Sequence, residues 1–266
     1  MVLGGWVAHR ERGVEPVVSE PADTAGDTSV QAVRAAVLAA LHDGDSELDA
    51  LGRVCRACVD LLPVDGASIT VIDGTAHHET LYASDEVSAR LESIQFTLGE
   101  GPSFHAFATR GPVLVPDLAT ATTAAWPVFA AEIADLPVAA LFVFPIQSGA
   151  IAIGSFGLYR SRAGPLVPDE LSIALQVADI AAIALLHMGA IADVDDDEHY
   201  EHWLTQLPRS SVEVHQATGM LISQLGLPAA QALSRLRGHA FATGRLVHDV
   251  AADVIARRVD LSKPDE

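Results

Sequence analysis

Four groups of residues have the types and spacing to do chemistry. Cys55 and Cys58 form a C-x-x-C pair, a spacing suited to a metal or to redox exchange. They share one helical face with Leu48, Leu51, Val54 and Leu62, and no second cysteine pair exists in the chain. Core thiols are therefore the expectation, with no metal site. His77, His78 and Glu79 supply metal-type ligands, but neighbours along a strand point to opposite faces, which argues against a shared ion. Ser103 and His105 follow a Gly-Glu-Gly-Pro turn without a G-x-S-x-G elbow or triad spacing, so no catalytic residue is assigned and no enzyme is expected. The fourth group is cationic: Arg235, Arg237 and Arg245 lie near a helix break, with Arg257 and Arg258 further on.

That last group stands out against the rest of the chain. The protein has a net charge of −19, which excludes a generally basic nucleic-acid surface. Between Arg209 and Asp260, however, six arginines (Arg209, Arg235, Arg237, Arg245, Arg257, Arg258) face four carboxylates (Glu213, Asp249, Asp253, Asp260), a local balance of +2 that leaves −21 elsewhere. Two cysteines and no disulfide framework fit a reducing, cytoplasmic setting. The apolar run from Leu171 to Ala192 is interrupted by Ser172, Gln176, Asp179 and His187, which argues against a membrane span.

The elements that must position these groups follow from periodicity. Residues 1–28 read as a disordered, non-targeting tail, and 29–42 and 46–62 as helices. "GASITVID" alternates and is β-branched, "AHHETLYAS" reads as its partner strand in a hairpin about Asp73-Gly74, and "VAALFVFPI" and "AIAIGSFGLYR" form a second pair about Gln147-Ser148-Gly149. Short helices and a strand-like "PVLVPDL" lie between the pairs, and a helix over about 168–192 closes the unit. The implied class is α+β, an antiparallel sheet with helices on its faces. A second apolar stripe on the closing helix predicts a homodimer. Residues 193–207 form an acidic linker, and 208–260 carry three short amphipathic helices separated by "GLP" and "TGR", a small all-α domain.

With these elements in place, "VDGASITVIDG", "LGEGPSFHAFATRGPVLVPDLAT", "WPVFA" and "GSFGLYR" resemble the GAF sensor domains of actinobacterial regulators, assigned to residues 29–192 with the preceding helix. The segment "HQATGMLISQLGLPAAQALSRLRGHAFATGRLVHDVAADVIARR" is similar to the ANTAR domain, a three-helix RNA-binding module of transcription antiterminators. The resemblance implies a signal-controlled regulator whose partner is an RNA hairpin in a nascent transcript, contacted through Ala217, Thr218, Gly219, Arg235, Arg237 and Arg245. Phe104, Phe129, Phe142 and Phe144 either line a small-molecule pocket between the sheet and the short helices or pack in the core; the ligand's identity is not implied. Two positions depart from the family. Thr218 stands where a lysine is usual, and Ser103 where many relatives carry cysteine. The first departure keeps open a second reading, a sensor whose ANTAR-like end serves dimerisation. Gly219, inside a helical pattern, costs about 1 kcal/mol relative to alanine. Close approach of another helix of the bundle, or of RNA, would offset it.

Overall fold

The computed structural model describes residues 47–72, 78–187 and 209–262, with residue 35 alone. The expected tail, the helix over 29–42, the Asp73-Gly74 turn and the acidic linker lie outside them.

The part of the chain up to His187 is built on a five-stranded antiparallel sheet of order β2-β1-β5-β4-β3. Its strands are β1 (Gly66–Ile72), β2 (His78–Ala83), β3 (Val113–Val115), β4 (Ala140–Ser148) and β5 (Ile151–Arg160). Both expected hairpins form, β1 with β2 and β4 with β5, and β1 pairs with β5 to join them. Every residue of β1 is buried, so both sheet faces are covered and simple in-out alternation is lost.

One face packs against α1 (Glu47–Leu61) and α6 (Pro168–His187), the expected closing helix. Ile69, Val71, Phe142, Phe144, Phe156 and Leu158 meet Leu51, Val54, Cys55, Cys58, Val177, Ala181 and Leu185 there. Both cysteines are free and buried, and burial pushes the Cys58 thiol up to about 12 and Cys55 upward as well. Such thiols stay protonated and pack as small apolar groups. We predict that the Cys55→Ala, Cys58→Ala double variant loses a few kcal/mol of stability at most, with unchanged metal content by elemental analysis.

The opposite face carries α2 (Glu86–Leu98), α3 (Pro102–Thr109), α4 (Leu118–Ala125) and α5 (Pro127–Glu132). The C-terminal helices are α7 (Arg209–Leu225), α8 (Ala229–Ala242) and α9 (Val247–Ile255). Val214, Ala217, Leu221, Leu233, Leu236, Val250 and Val254 close their core, as the three apolar stripes predict. This bundle does not stand apart: α8 and α9 pack on α2, Phe96 joins the bundle core, and Leu246 packs among the apolar residues beneath α2. The Val247 N–H donates to Thr97 Oγ1 at 3.2 Å across this junction.

Candidate functional site

Helix α2 supplies the side chains that meet at the two places where chemistry concentrates. Asp85 accepts from the Ser88 N–H at 2.7 Å to start it, and Gly99, at φ 69°, ends it in the left-handed region. Its buried face is mixed: Leu91 and Ile94 are apolar, but Ser88, Glu92, Gln95 and Thr97 are buried beside them. Polar groups at i, i+4 and i+7 thus point toward a sheet face that presents Ser68, Thr70 and Ser155 instead of aliphatic groups.

Glu92 sits at the centre. Ser68 Oγ donates to its Oε1 at 2.9 Å, and Ser103 Oγ lies 3.3 Å from both carboxylate oxygens. Gln95 brackets Ser103: its Nε2 donates to Ser103 Oγ at 3.0 Å, and its Oε1 accepts the Ser103 N–H at 2.7 Å, capping the first turn of α3. A Cβ at Gly157 would come within 2.7 Å of Ser68 Oγ and 3.3 Å of Glu92 Oε1, so only glycine lets the carboxylate approach β5 this closely. Burial raises Glu92 to about 6, and the hydroxyls that hydrogen-bond it restrain the rise. Ser103 is saturated and sealed here, while His105 is exposed and lies edge-on to Trp126. The two share no site. A cavity of about 10 Å³ remains between Glu92, Ser88, Tyr159 and Gly157, room for about one water molecule.

Beside this cluster runs an aromatic column. His78 is stacked between Phe104, at 4.8 Å, and Phe96, at 5.4 Å. Burial, with the Arg237 charge as a lesser cause, lowers His78 to about 3. Its Nε2 lies 3.7 Å from Glu92 Oε2, too long for a hydrogen bond, and with a neutral imidazole the pair is not ionic. Arg237 of α8 lies over the Phe96 ring, 4.5 Å from its centroid, so the column reaches from the C-terminal bundle to the polar cluster.

The aromatic ligand candidates separate accordingly. Phe104 and Phe129 lie on the α2 and α3 side, but Phe142 and Phe144 are fully buried on the opposite face against α1 and α6. All four cannot line one pocket, because strand parity sends even-numbered β4 residues to the other side of the sheet. The RNA-binding candidates are likewise dispersed. Ala217 is fully buried in the bundle, and the Thr218 hydroxyl donates back to the Val214 carbonyl at 2.7 Å. Arg235 Nε donates to the Leu261 carbonyl, tying down the C-terminal turn. Arg245 pairs with Asp253 at 2.7 Å and holds that carboxylate below its ordinary range together with Arg258. Gly219 is exposed, and a Cβ there would meet nothing within 4 Å, so helix packing inside the bundle does not account for it. Glu92, Gln95 and Phe96 were not among the residues singled out from sequence; the polar stripe on α2 was the available signal. Among the described residues no His, Cys, Asp and Glu group could hold a metal ion, and no helix is long and apolar enough to cross a membrane.

Two family models match the chain. The GAF domain model matches residues 44–186 and the ANTAR domain model residues 204–255; both are regulatory domains. No curated protein matches the chain. Among solved structures, the GAF domain of a phosphoenolpyruvate-protein phosphotransferase (ptsP) from Coxiella burnetii is 15% identical, covering 63% of this chain and 98% of that one with a TM-score of 0.52. The corresponding Acinetobacter domain is 14% identical over 64% and 99%, with a TM-score of 0.50. At these identities the likeness bears on the fold alone. A five-stranded antiparallel sheet with α1 and α6 on one face and α2 and α3 on the other, matched by the family model over more than half its length, makes this chain a member of the GAF domain family, with an ANTAR domain following it.

Proposed function

We propose that the protein is a signal-responsive cytoplasmic regulator without catalytic activity, in which the GAF domain governs binding of RNA hairpins by the ANTAR domain and so controls antitermination. The observation that carries this reading is the joining of the two domain types in one chain, with α8 and α9 seated on α2. A signal that altered α2 would reach the RNA-binding module directly. The open backbone at Gly219 supports it further, since a bare helical surface admits a phosphate or sugar closely. Ala217 then serves the core while Gly219 and Thr218 lie toward RNA, and Arg235, Arg237 and Arg245 supply cations from elsewhere in the same domain.

Two substitutions test it in anisotropy titrations with a hairpin RNA. Gly219→Ala should stabilise α7 by about 0.5–1 kcal/mol and weaken RNA binding, because the added methyl occupies the approach. Thr218→Lys should tighten binding and steepen its salt dependence by about one counterion. A fold that is stabilised by Gly219→Ala with RNA binding unchanged, and no response to Thr218→Lys, would remove this segment from the interface.

One observation favours a second reading. Thr218 turns its hydroxyl into its own helix, and α6 exposes Leu175, Ile183 and Leu186, consistent with a homodimer in which the ANTAR domain assists association. Glutamate at Ile183 and Leu186 should then yield monomers in light scattering.

A further inference from the structure

The polar cluster around Glu92 has space for about one water, so that face of the sheet does not admit a small molecule as it stands. Space is found instead at the junction of the two domains. A cleft of about 380 Å³ lies between the C-terminal end of α2, α5 and α8, lined by Leu98, Glu100, Val128, Arg237, Gly238 and Phe241 among others. This falls within the ordinary range of ligand pockets, about 300–1,000 Å³.

Its chemistry is uneven in a telling way. Leu98 and Val128 give an apolar wall, and Phe241, 56% exposed, offers a large ring to solvent at the edge. Gly238, mid-helix in α8, would place a Cβ in open space, so the missing side chain leaves room in the cleft without serving any packing inside the protein. Arg237 is the cation. It is largely buried, which lowers it to about 10, still charged at neutral pH. Phe96 covers it on one side, and its buried Nε has no hydrogen-bond acceptor among the described residues. A largely buried guanidinium with no carboxylate paired to it among the described residues is costly unless an anion completes it. Glu100 limits what that anion can be. Its Oε1 accepts the Phe129 N–H at 3.2 Å, which places a second, negative group in the lining, so a ligand with one anionic group is admitted better than one with several.

We propose that this interdomain cleft is an effector site for a small organic acid: one carboxylate hydrogen-bonds Arg237, and an apolar body lies against Leu98, Val128 and Phe241. Because α2 and α5 form one wall and α8 the other, an occupant holds the ANTAR domain against the GAF domain. It also withholds Arg237 from RNA. This second consequence rests on the RNA-binding reading above, whereas the site itself does not.

The full-length protein, labelled with 15N, is titrated with benzoate while the Arg237 Nε–H signal is followed, the signal being identified by its loss in Arg237→Gln. Benzoate should shift it saturably. Benzamide, of the same shape but neutral, should bind about tenfold more weakly or less well still, the loss expected for a charge-assisted pair. Gly238→Leu, which fills the cleft and leaves the guanidinium in place, should weaken benzoate by a similar factor. An unshifted Nε–H, equal binding of benzamide, or undiminished binding to Gly238→Leu would overturn the site. In the second arm, saturating benzoate should weaken hairpin RNA binding severalfold in the wild type and leave it unchanged in Arg237→Gln. Benzoate binding with no RNA binding under any condition would leave the site standing and remove the RNA reading. RNA binding indifferent to bound benzoate would overturn the coupling.

Discussion

The unfolding free energy should fall steeply as the pH is lowered below about 4.5, and His78→Phe should remove much of that fall. His78 is held neutral in the folded protein, with its value lowered from 6.5 to about 3 by burial and by the Arg237 charge. A group depressed on folding contributes stability above its unfolded value that is lost as the pH drops toward the folded one. The full effect between pH 6.5 and 3 is about 4–5 kcal/mol at 1.36 kcal/mol per unit. Glu92 acts with the opposite sign. Its value is raised from 4.5 to about 6, so its contribution is complete below 4.5 and about 2 kcal/mol is lost as the pH rises through 6. The two nearly cancel between 4.5 and 6, which predicts a plateau there. Denaturant melts across this range should show the plateau in the wild type, a continuous slope in Glu92→Gln, and a decline with rising pH through the same window in His78→Phe. Phenylalanine suits position 78 because its neighbours on both sides are the rings of Phe96 and Phe104, and it leaves no buried ring nitrogens unpartnered. Parallel wild-type and Glu92→Gln curves would show that the carboxylate titrates normally and that the cluster is open to water.

Gly154→Ala should destabilise the protein by about 3 kcal/mol or more. Its Cβ would lie 2.0 Å from the Thr70 carbonyl oxygen and 2.9 Å from the carbonyl carbon and the Val71 Cα, all backbone atoms of β1. A side chain could rotate away; a strand in the middle of the sheet can yield only by breaking its ladder with β5, where Gly154 faces Val71. The midpoint of chemical denaturation reads the effect directly. Gly157→Ala should cost less, because the nearest atoms there are the mobile side-chain oxygens of Ser68 and Glu92. Equal stability of wild type and Gly154→Ala would require a different β1–β5 register.

Local pattern was sufficient for the elements themselves. Alternation marked β1, strand-like runs about turn residues marked β2, β4 and β5, the apolar stripes marked α7, α8 and α9, and the shared helical face placed Cys55 and Cys58 in the core, as found. These features depend on period and on side-chain type, which are properties of a short window of sequence. The partners of each face are not. Alternation divides β4 into two sides without saying which one meets α2, so Phe142 and Phe144 could be grouped with Phe129 on paper although the sheet separates them. Glu92 and Gln95 read as ordinary polar positions of an amphipathic helix until the facing strands prove to present Ser68 and Gly157. Arg237 illustrates the same limit most fully. Composition marked it as one of a group of cations, but Phe96, which lies under it, and the cleft it borders belong to a distant stretch of the chain. Charge and propensity are fixed residue by residue, whereas burial of a charge, and hence its pKa and its need for a partner, exists only once two remote segments have packed together.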